Sequence, residues 1–408
     1  MNRFLFLILV GLIIRLALMQ VIGFKVDIDA WAAWASRSYE LGFSNFYSDV
    51  AWTNYTPGYI YILYVLEAVK RFFNLSPEIF YVLLKIPSIL AELALVVLVF
   101  KIVRGMSTSS ILIITASLIL FNPALIFNSA VWGQIDSILT LLLILTIYFL
   151  NKKHFILSSI FFGLSILIKP QALAIAPIFP LFIINNFSLK NFFKLSFPAI
   201  LIILLFSFPF FINQPFLGFF QLLSKMIGDY PYISLNAYNA WGVLGFWIND
   251  NTKLGFLSYQ QIGYIFYFGY WILLAYLFVS KRLSLYALGA LACLSFFFLP
   301  TRAHERYLYP AIPFLVILFS FYKSKFILVL TILLSLMHTM NLYFVYIYYN
   351  VLYLKLPSAL YLPHLYSFME QNSKLFSFTS TLIFLIITYW IIKIEYARKN
   401  SYSKKIYS

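Results

Sequence analysis

GYIYILYVLEAVKRFF, residues 58–73, is the stretch whose reading decides how this chain is threaded. It is short for a membrane span, rich in tyrosine, interrupted by Glu67 and closed by Lys70 and Arg71. Counted as a span, it would invert every loop that follows. Read as a helix lying in the membrane interface, it leaves the later loops with a consistent charge asymmetry.

Outward from it lie apolar runs near 4–23, 79–100, 109–128, 134–150, 155–168, 171–188, 195–213, 261–280, 284–300, 308–322, 326–349 and 376–393. A spanning helix needs roughly 20 mostly apolar residues, and backbone facing lipid must satisfy its own hydrogen bonds, so each run predicts a helix. The expectation is an all-α polytopic integral membrane protein with about 12 transmembrane helices. With 58–73 left out of the count, Lys101 and Arg104, Lys152 and Lys153, Lys190 and Lys194, Lys281 and Arg282, Lys323 and Lys325, and the basic tail from Arg398 to Lys405 share the side of Arg3. The positive-inside rule makes that side the cytoplasm and puts both termini there. The opposite face receives the long segments 24–78, 214–260 and 350–375 and the turns near 129–133, 169–170 and 301–307.

Composition agrees: 63% of the 408 residues are hydrophobic and 10% charged, against about 25% charged in a soluble domain. The net charge of +16 comes from lysines and arginines set in pairs between apolar runs, a topology signal rather than a nucleic-acid surface. A single cysteine, Cys293, excludes a disulfide framework and a thiolate metal site. The first run begins after Arg3, is long enough to span and lacks a small-residue cleavage site, so it reads as the first span rather than a signal peptide.

The rare polar residues gather toward the outer ends of the runs. Asp27 and Asp29 stand at the end of the first span, in a chain with only 13 acids. Either could be a general base for a hydroxyl proton. Asp29 could instead cap a helix starting at Ala30, and the pair could hold a divalent cation, although two carboxylates are a thin ligand set. Further along, Trp132-Gly133-Gln134-Ile135-Asp136 leads into a span with an acid in its first turn, which favours either function or the helix dipole.

Lys169-Pro170-Gln171 breaks the positive-inside pattern and suits a phosphate, or a snorkelling lysine. Arg302, His304, Glu305, Arg306 and Tyr307 crowd one short turn; the arginines could grip phosphate, or the group could form a self-satisfied ion-pair cluster. Asp229-Tyr230-Pro231-Tyr232 with Ser234, Asn236, Tyr238, Asn239 and Trp241 suit a sugar, as amides bond hydroxyls and rings stack on CH faces, or are ordinary surface-loop residues; the first outer segment closes with Tyr47, Asn54 and Tyr55. Arg15, Lys85 and Glu92 lie deeper, where local structural roles on one helix face are expected for the last two.

Taken in order, Asp27 with Trp31 and Trp34, Tyr55-Thr56-Pro57-Gly58-Tyr59, Trp132-Gly133-Gln134-Ile135-Asp136, Lys169-Pro170-Gln171, Asn236-Ala237-Tyr238-Asn239-Ala240-Trp241 and His304-Glu305-Arg306-Tyr307 with Tyr309-Pro310 resemble the GT-C superfamily of membrane glycosyltransferases. Within it they resemble the mannosyltransferase group related to PIG-V of GPI-anchor synthesis. The resemblance implies an inverting transfer of a sugar, mannose, from a polyprenyl- or dolichyl-phosphate carrier to a lipid-linked or protein glycan on the non-cytoplasmic face. It implies Asp27 as the base, with Asp29 as the alternative. Lys169, Arg302, His304 and Arg306 would bind the donor phosphate. Tyr55, Trp132, Gln134, Asp136, Gln171, Asn236, Asn239, Trp241, Glu305 and Tyr307 would line the substrate site. Residues 1–325, with the outer loops 24–78 and 214–260, would form the catalytic membrane module, and 326–408 accessory spans with a basic cytoplasmic tail.

No Walker-type glycine loop or soluble dinucleotide fold marks a nucleotide-driven enzyme. No other cofactor is expected. The expected partners are the lipid-linked donor, a glycan or lipid acceptor and membrane lipids, and no nucleic acid; no motif names a partner subunit. The rival reading is a transporter or lipid-linked-sugar flippase, whose polar sites would lie near the bilayer midplane.

Overall fold

The computed structural model describes residues 2–48, 53–105, 108–185 and 187–406. Each apolar run carries a helix, and the protein is an all-α polytopic membrane protein. The chain runs through α1 (Asn2–Leu18), α2 (Lys25–Leu41), α3 (Pro57–Phe72), α4 (Pro77–Leu83), α5 (Ile86–Val103), α6 (Ser109–Leu120), α7 (Pro123–Ile126), α8 (Asp136–Asn151) and α9 (Phe155–Ile168). It continues through α10 (Ile178–Asn185), α11 (Leu189–Ser207), α12 (Pro215–Gly228), α13 (Tyr259–Val279), α14 (Leu285–Phe298), α15 (Ala311–Tyr322), α16 (Lys325–Ile347), α17 (Pro363–Gln371) and α18 (Ser373–Ile406). Among the described residues, six helical stretches are long and apolar enough to cross a membrane, and four shorter apolar helices accompany them.

Local chemistry sets the helix starts. Proline stands in the first turn of α3, α4, α7, α12 and α17, where its missing N–H costs nothing. Ser258 and Gln261 close a capping box on α13, and Ser284 and Ser324 cap α14 and α16. The 109–128 run continues through α7 into a π-helical turn, Phe127–Trp132.

The stretch at 58–73 is α3, 16 residues long. It buries Tyr59, Ile60, Leu63 and Leu66 and packs on α2 and α9. Glu67, also buried, is neutralised by Arg71 at 2.8 Å and Lys70 at 3.2 Å. The contact with α9 depends on Gly58, because a Cβ there would come 2.5 Å from the Leu167 carbonyl oxygen. Gly58→Ala therefore has to push α3 off α9 at a cost of about 1–3 kcal/mol. A lower melting temperature of the purified variant checks this; an unchanged one contradicts it.

Two buried cations hold the helices in register. Arg15 on α1 pairs with Glu92 on α5, both fully buried, and Ser129 donates to the second Glu92 oxygen. Lys85 points its ammonium at the carbonyls of Val21 at 2.6 Å and of Met19, Ala130 and Val131 at 3.1 Å, tying the end of α1 to the π-helical turn. The sequence reading gave Lys85 and Glu92 local roles on one helix face. Their partners instead come from other segments, since buried charges need counter-charges or carbonyls that their own helix cannot supply. A second correction concerns Asp29. The helix begins at Lys25 with Phe24 as its N-cap, so Asp29 lies one turn inside and caps nothing.

The segment between α12 and α13 is stitched to the 301–306 turn. Strand β1 (Ser234–Leu235) pairs in parallel with β4 (Ala303–His304), and a small hairpin of β2 (Lys253–Leu254) and β3 (Leu257–Ser258) lies between them in sequence. The Arg302 amide donates to the Tyr232 carbonyl at 2.9 Å. Helix α16 packs against both the π-helical turn and the 3-10 turn Glu305–Leu308, so the segment after residue 325 touches the same region.

Candidate active site

The site begins with a glycine. Gly133, at φ +94°, occupies the left-handed region that lets the chain reverse between the π-helical turn and α8. A Cβ there would also strike Ile28 at 2.9 Å. This reversal aims the side chains on either side of Gly133 at one carboxylate. Trp132 Nε1 donates to Asp27 Oδ2 at 2.8 Å, and Gln134 Nε2 donates to the same oxygen at 2.6 Å. The start of α2 is fixed to the turn as well: the Phe24 amide donates to the Trp132 carbonyl at 2.9 Å, and the two rings stack at 4.2 Å.

Behind this pair, Gln134 Oε1 accepts from Lys169 Nζ at 2.9 Å and from the Tyr55 hydroxyl at 3.1 Å. Lys169 also pairs with Asp136 at 2.6 Å, each side chain 3% exposed. The other Asp136 oxygen accepts from Asn128 Nδ2 at 2.9 Å. The motifs at 27, 55, 132–136 and 169 thus form one hydrogen-bonded unit.

Beside it, β4 presents His304 and the 3-10 turn that follows presents Arg306. Arg306 donates to Glu305 at 2.9 Å, while its Nε is buried without a partner among the described residues. Burial opposes the charge on Arg306, and the carboxylates of Asp27 and then Glu305 outweigh it, so the guanidinium is held above its ordinary pKa. Burial, with Arg306 and Lys169 nearby, pushes His304 well below the usual imidazole range and keeps it neutral.

Of these groups, Tyr55, Lys169, His304 and Arg306 line a cavity of about 270 Å³; Gln134 and Asp136 are bonded to its lining and Asp27 to Gln134, but none of these three is part of it. The cavity's polar lining includes Asn54, Tyr55, Lys169, Gln171, Asp229, Tyr230, Arg302, His304 and Arg306, and its apolar lining Leu173, Met226, Ile227, Tyr264 and Phe296. Leu173, Ile227 and Tyr264 are 37–53% exposed, so the cavity reaches the protein surface along them. A wider groove of about 870 Å³, rich in hydroxyls and amides, lies next to it between the 43–48 turn and α12.

A family model, glycosyltransferase family 87, matches residues 52–301, more than half of the chain. The chain belongs to glycosyltransferase family 87. It is a membrane-integral glycosyltransferase. Among curated proteins, none matches it.

In this family 87 chain, the expected site residues divide by position. Asp27, Tyr55, Trp132, Gln134, Asp136 and Lys169 converge in one hydrogen-bonded unit, of which Tyr55 and Lys169 line the cavity together with Gln171, His304, Arg306 and Tyr307. Asp29 turns away, paired with Lys25 and accepting from the Tyr81 hydroxyl at 2.9 Å, so the two aspartates do not converge on a shared cation. Arg302 lines the cavity, but its guanidinium is engaged by the buried Asp250 at 2.7 and 3.2 Å and by the Ile227 carbonyl at 2.7 Å.

Asn239 donates to the Phe297 carbonyl and accepts from the amides of Trp241 and Gly242, and Trp241 Nε1 donates to the Leu299 carbonyl. Asn236 Oδ1 accepts from Trp247 Nε1 at 3.1 Å. Asn239 and Trp241 thus tie their segment to the end of α14, the Asn236 side chain bonds within the segment, and none of the three lines the cavity.

The cavity in this family 87 chain is also lined by Asn54 and Tyr230, from segments the sequence reading singled out, and by apolar residues it did not single out: Leu173, Met226, Ile227, Tyr264 and Phe296. Asp250, one of only 13 acids, carried a signal by its rarity. The apolar lining carried none, because its residues look like any lipid-facing side chains.

Proposed function

We propose that this glycosyltransferase moves a sugar, mannose, from a polyprenyl- or dolichyl-phosphate carrier to a hydroxyl of a lipid-linked or protein glycan on the non-cytoplasmic face. The observation that carries this reading is the mixed lining of the cavity. The cavity combines Arg306, with its unpartnered buried donor, and the exposed side chains of Leu173, Ile227 and Tyr264, which in this reading face lipid. A phosphate joined to an isoprenoid tail has that shape and polarity, and a nucleotide does not.

In this reading the acceptor hydroxyl gives its proton to Asp27 as its oxygen attacks the anomeric carbon. The bond from that carbon to the phosphate oxygen breaks, and the polyprenyl phosphate leaves with the electron pair. Arg306 and neutral His304 donate hydrogen bonds to the phosphate as charge develops on it. The neighbouring polar groove suits a polyhydroxylated acceptor, with Asn45, Gln214 and Gln221 as hydrogen-bonding groups and Tyr47 as a stacking surface. All the groups given chemical roles lie within 1–325.

Arg306→Ala tests the donor grip. It is expected to raise the donor KM by about 10-fold or more, the value of a charge-assisted hydrogen bond of about 1.5–3 kcal/mol. Turnover of radiolabelled polyprenyl-phosphate-mannose by the purified protein reads the effect. An unchanged donor KM would move the phosphate elsewhere.

A pH series follows from His304. Its folded-state pKa is depressed, so its contribution to stability is fully present above the unfolded value of about 6.5 and is lost as pH falls below it. Because the ring stays neutral, donor affinity is expected to be flat between about pH 5.5 and 7.5, where the donor phosphodiester does not titrate. Affinity that rises on acidification and stops rising in His304→Gln would contradict this.

A further inference from the structure

The amide of Gln134 has one permitted orientation. Its Oε1 faces three donors: Lys169 Nζ at 2.9 Å, the Tyr55 hydroxyl at 3.1 Å and the Ile135 amide at 3.2 Å. Turned over, the NH2 group would face an ammonium and the oxygen would face the Asp27 carboxylate, two repulsive contacts in place of attractive ones. The nitrogen end is therefore committed to Asp27 Oδ2, which already accepts from Trp132. Asp27 Oδ1 meets no donor among the described residues.

Lys169 is the strongest of the three donors, since its bond to the amide is charge-assisted. It is itself placed by Asp136, whose other oxygen is held by Asn128. A chain of contacts thus runs from Asn128 through Asp136, Lys169 and Gln134 to Asp27, ending on the oxygen opposite the one left open.

We propose that Lys169 is a positioning residue that acts through Gln134, locking Asp27 by Oδ2 so that Oδ1 is the oxygen that takes the acceptor proton. This rests on glycosyl transfer with Asp27 as base and assigns Lys169 a task other than gripping the donor phosphate. Lys169 exchanges no proton in the step. The acceptor proton goes to Oδ1, and the bonds made and broken at the sugar are those of the proposed transfer.

The test is a double-mutant cycle on kcat and donor KM with polyprenyl-phosphate-mannose. Lys169→Met alone would leave Asp136 buried without its counter-charge, so it is made together with Asp136→Asn. Gln134→Leu and the Lys169→Met/Asp136→Asn variant are each expected to lower kcat on the order of 10- to 100-fold at unchanged donor KM, the cost of a misplaced group. Combined, they should fall no further than Gln134→Leu alone, because both break the same link. Losses that multiply, with a raised donor KM, would make Lys169 an independent donor ligand and overturn the inference; wild-type kcat in the Lys169→Met/Asp136→Asn variant would overturn it too.

Tyr55→Phe, which deletes only the second donor to Oε1, is the milder probe should the charge-pair variant melt early. It is expected to lower kcat by a smaller factor at unchanged donor KM, and a selective rise in donor KM counts against the inference. Asp27→Asn runs in the same series. If it turns over like wild type, the base reading fails and this inference with it; if it is inactive while the cycle is multiplicative, only this inference fails.

Discussion

Asp27→Asn is expected to lower glycosyl transfer by about 10²- to 10⁴-fold, the range a general base contributes, while donor affinity stays within about a factor of two. The asparagine oxygen can take the place of Oδ2 and keep accepting from Trp132 at 2.8 Å and Gln134 at 2.6 Å, so the fold around it has no reason to move. Its NH2 group then occupies the place of Oδ1 and has no lone pair for a proton. The substitution therefore separates chemistry from architecture. Initial rates with labelled lipid-linked sugar, compared with equilibrium binding of the same donor, read the two effects independently. A variant that loses affinity and rate together would mean that Asp27 holds the donor instead of activating the acceptor.

The largest expected effect on stability lies away from the cavity. Arg15→Met should destabilise the protein by about 3–5 kcal/mol, because it strands the buried Glu92 carboxylate with Ser129 as its remaining partner. Arg15 also donates to the carbonyls of Gly11 at 2.8 Å and Leu120 at 3.0 Å, so its loss loosens α1 from α6 as well as from α5. Replacing both charges, Arg15→Met with Glu92→Leu, is expected to recover most of the lost stability, since an apolar pair of similar volume needs no counter-charge. Melting curves in detergent check both. A single variant that melts like wild type would mean that the ion pair does not hold the helices.

How legible all this was depends on the residue. The helices were readable because lipid leaves backbone only one local solution, and runs such as 155–168 match α9 residue for residue. Their interruptions were less readable: the break before α5 and the π-helical turn ahead of Gly133 arise from tertiary demands, such as the four carbonyls converging on Lys85. Asp27, Gln134, Asp136 and Lys169 stood out because polar groups are rare in an apolar chain. Their pairing could not be read, since spacing does not say that Lys169 would spend its ammonium on Asp136 and Gln134. Asn239 and Trp241 show the reverse limit. In sequence they look like sugar-binding groups, and nothing in it shows that they also bond the Phe297 and Leu299 carbonyls at the end of α14.

The most direct measurement of the central claim is a donor comparison. Purified protein in lipid is offered labelled polyprenyl-phosphate-mannose and, separately, labelled nucleotide mannose, each with a membrane glycolipid extract as acceptor. The account predicts transfer or slow donor hydrolysis from the lipid-linked sugar and none from the nucleotide sugar. Turnover of the nucleotide sugar, or of neither donor by a folded protein, would contradict it.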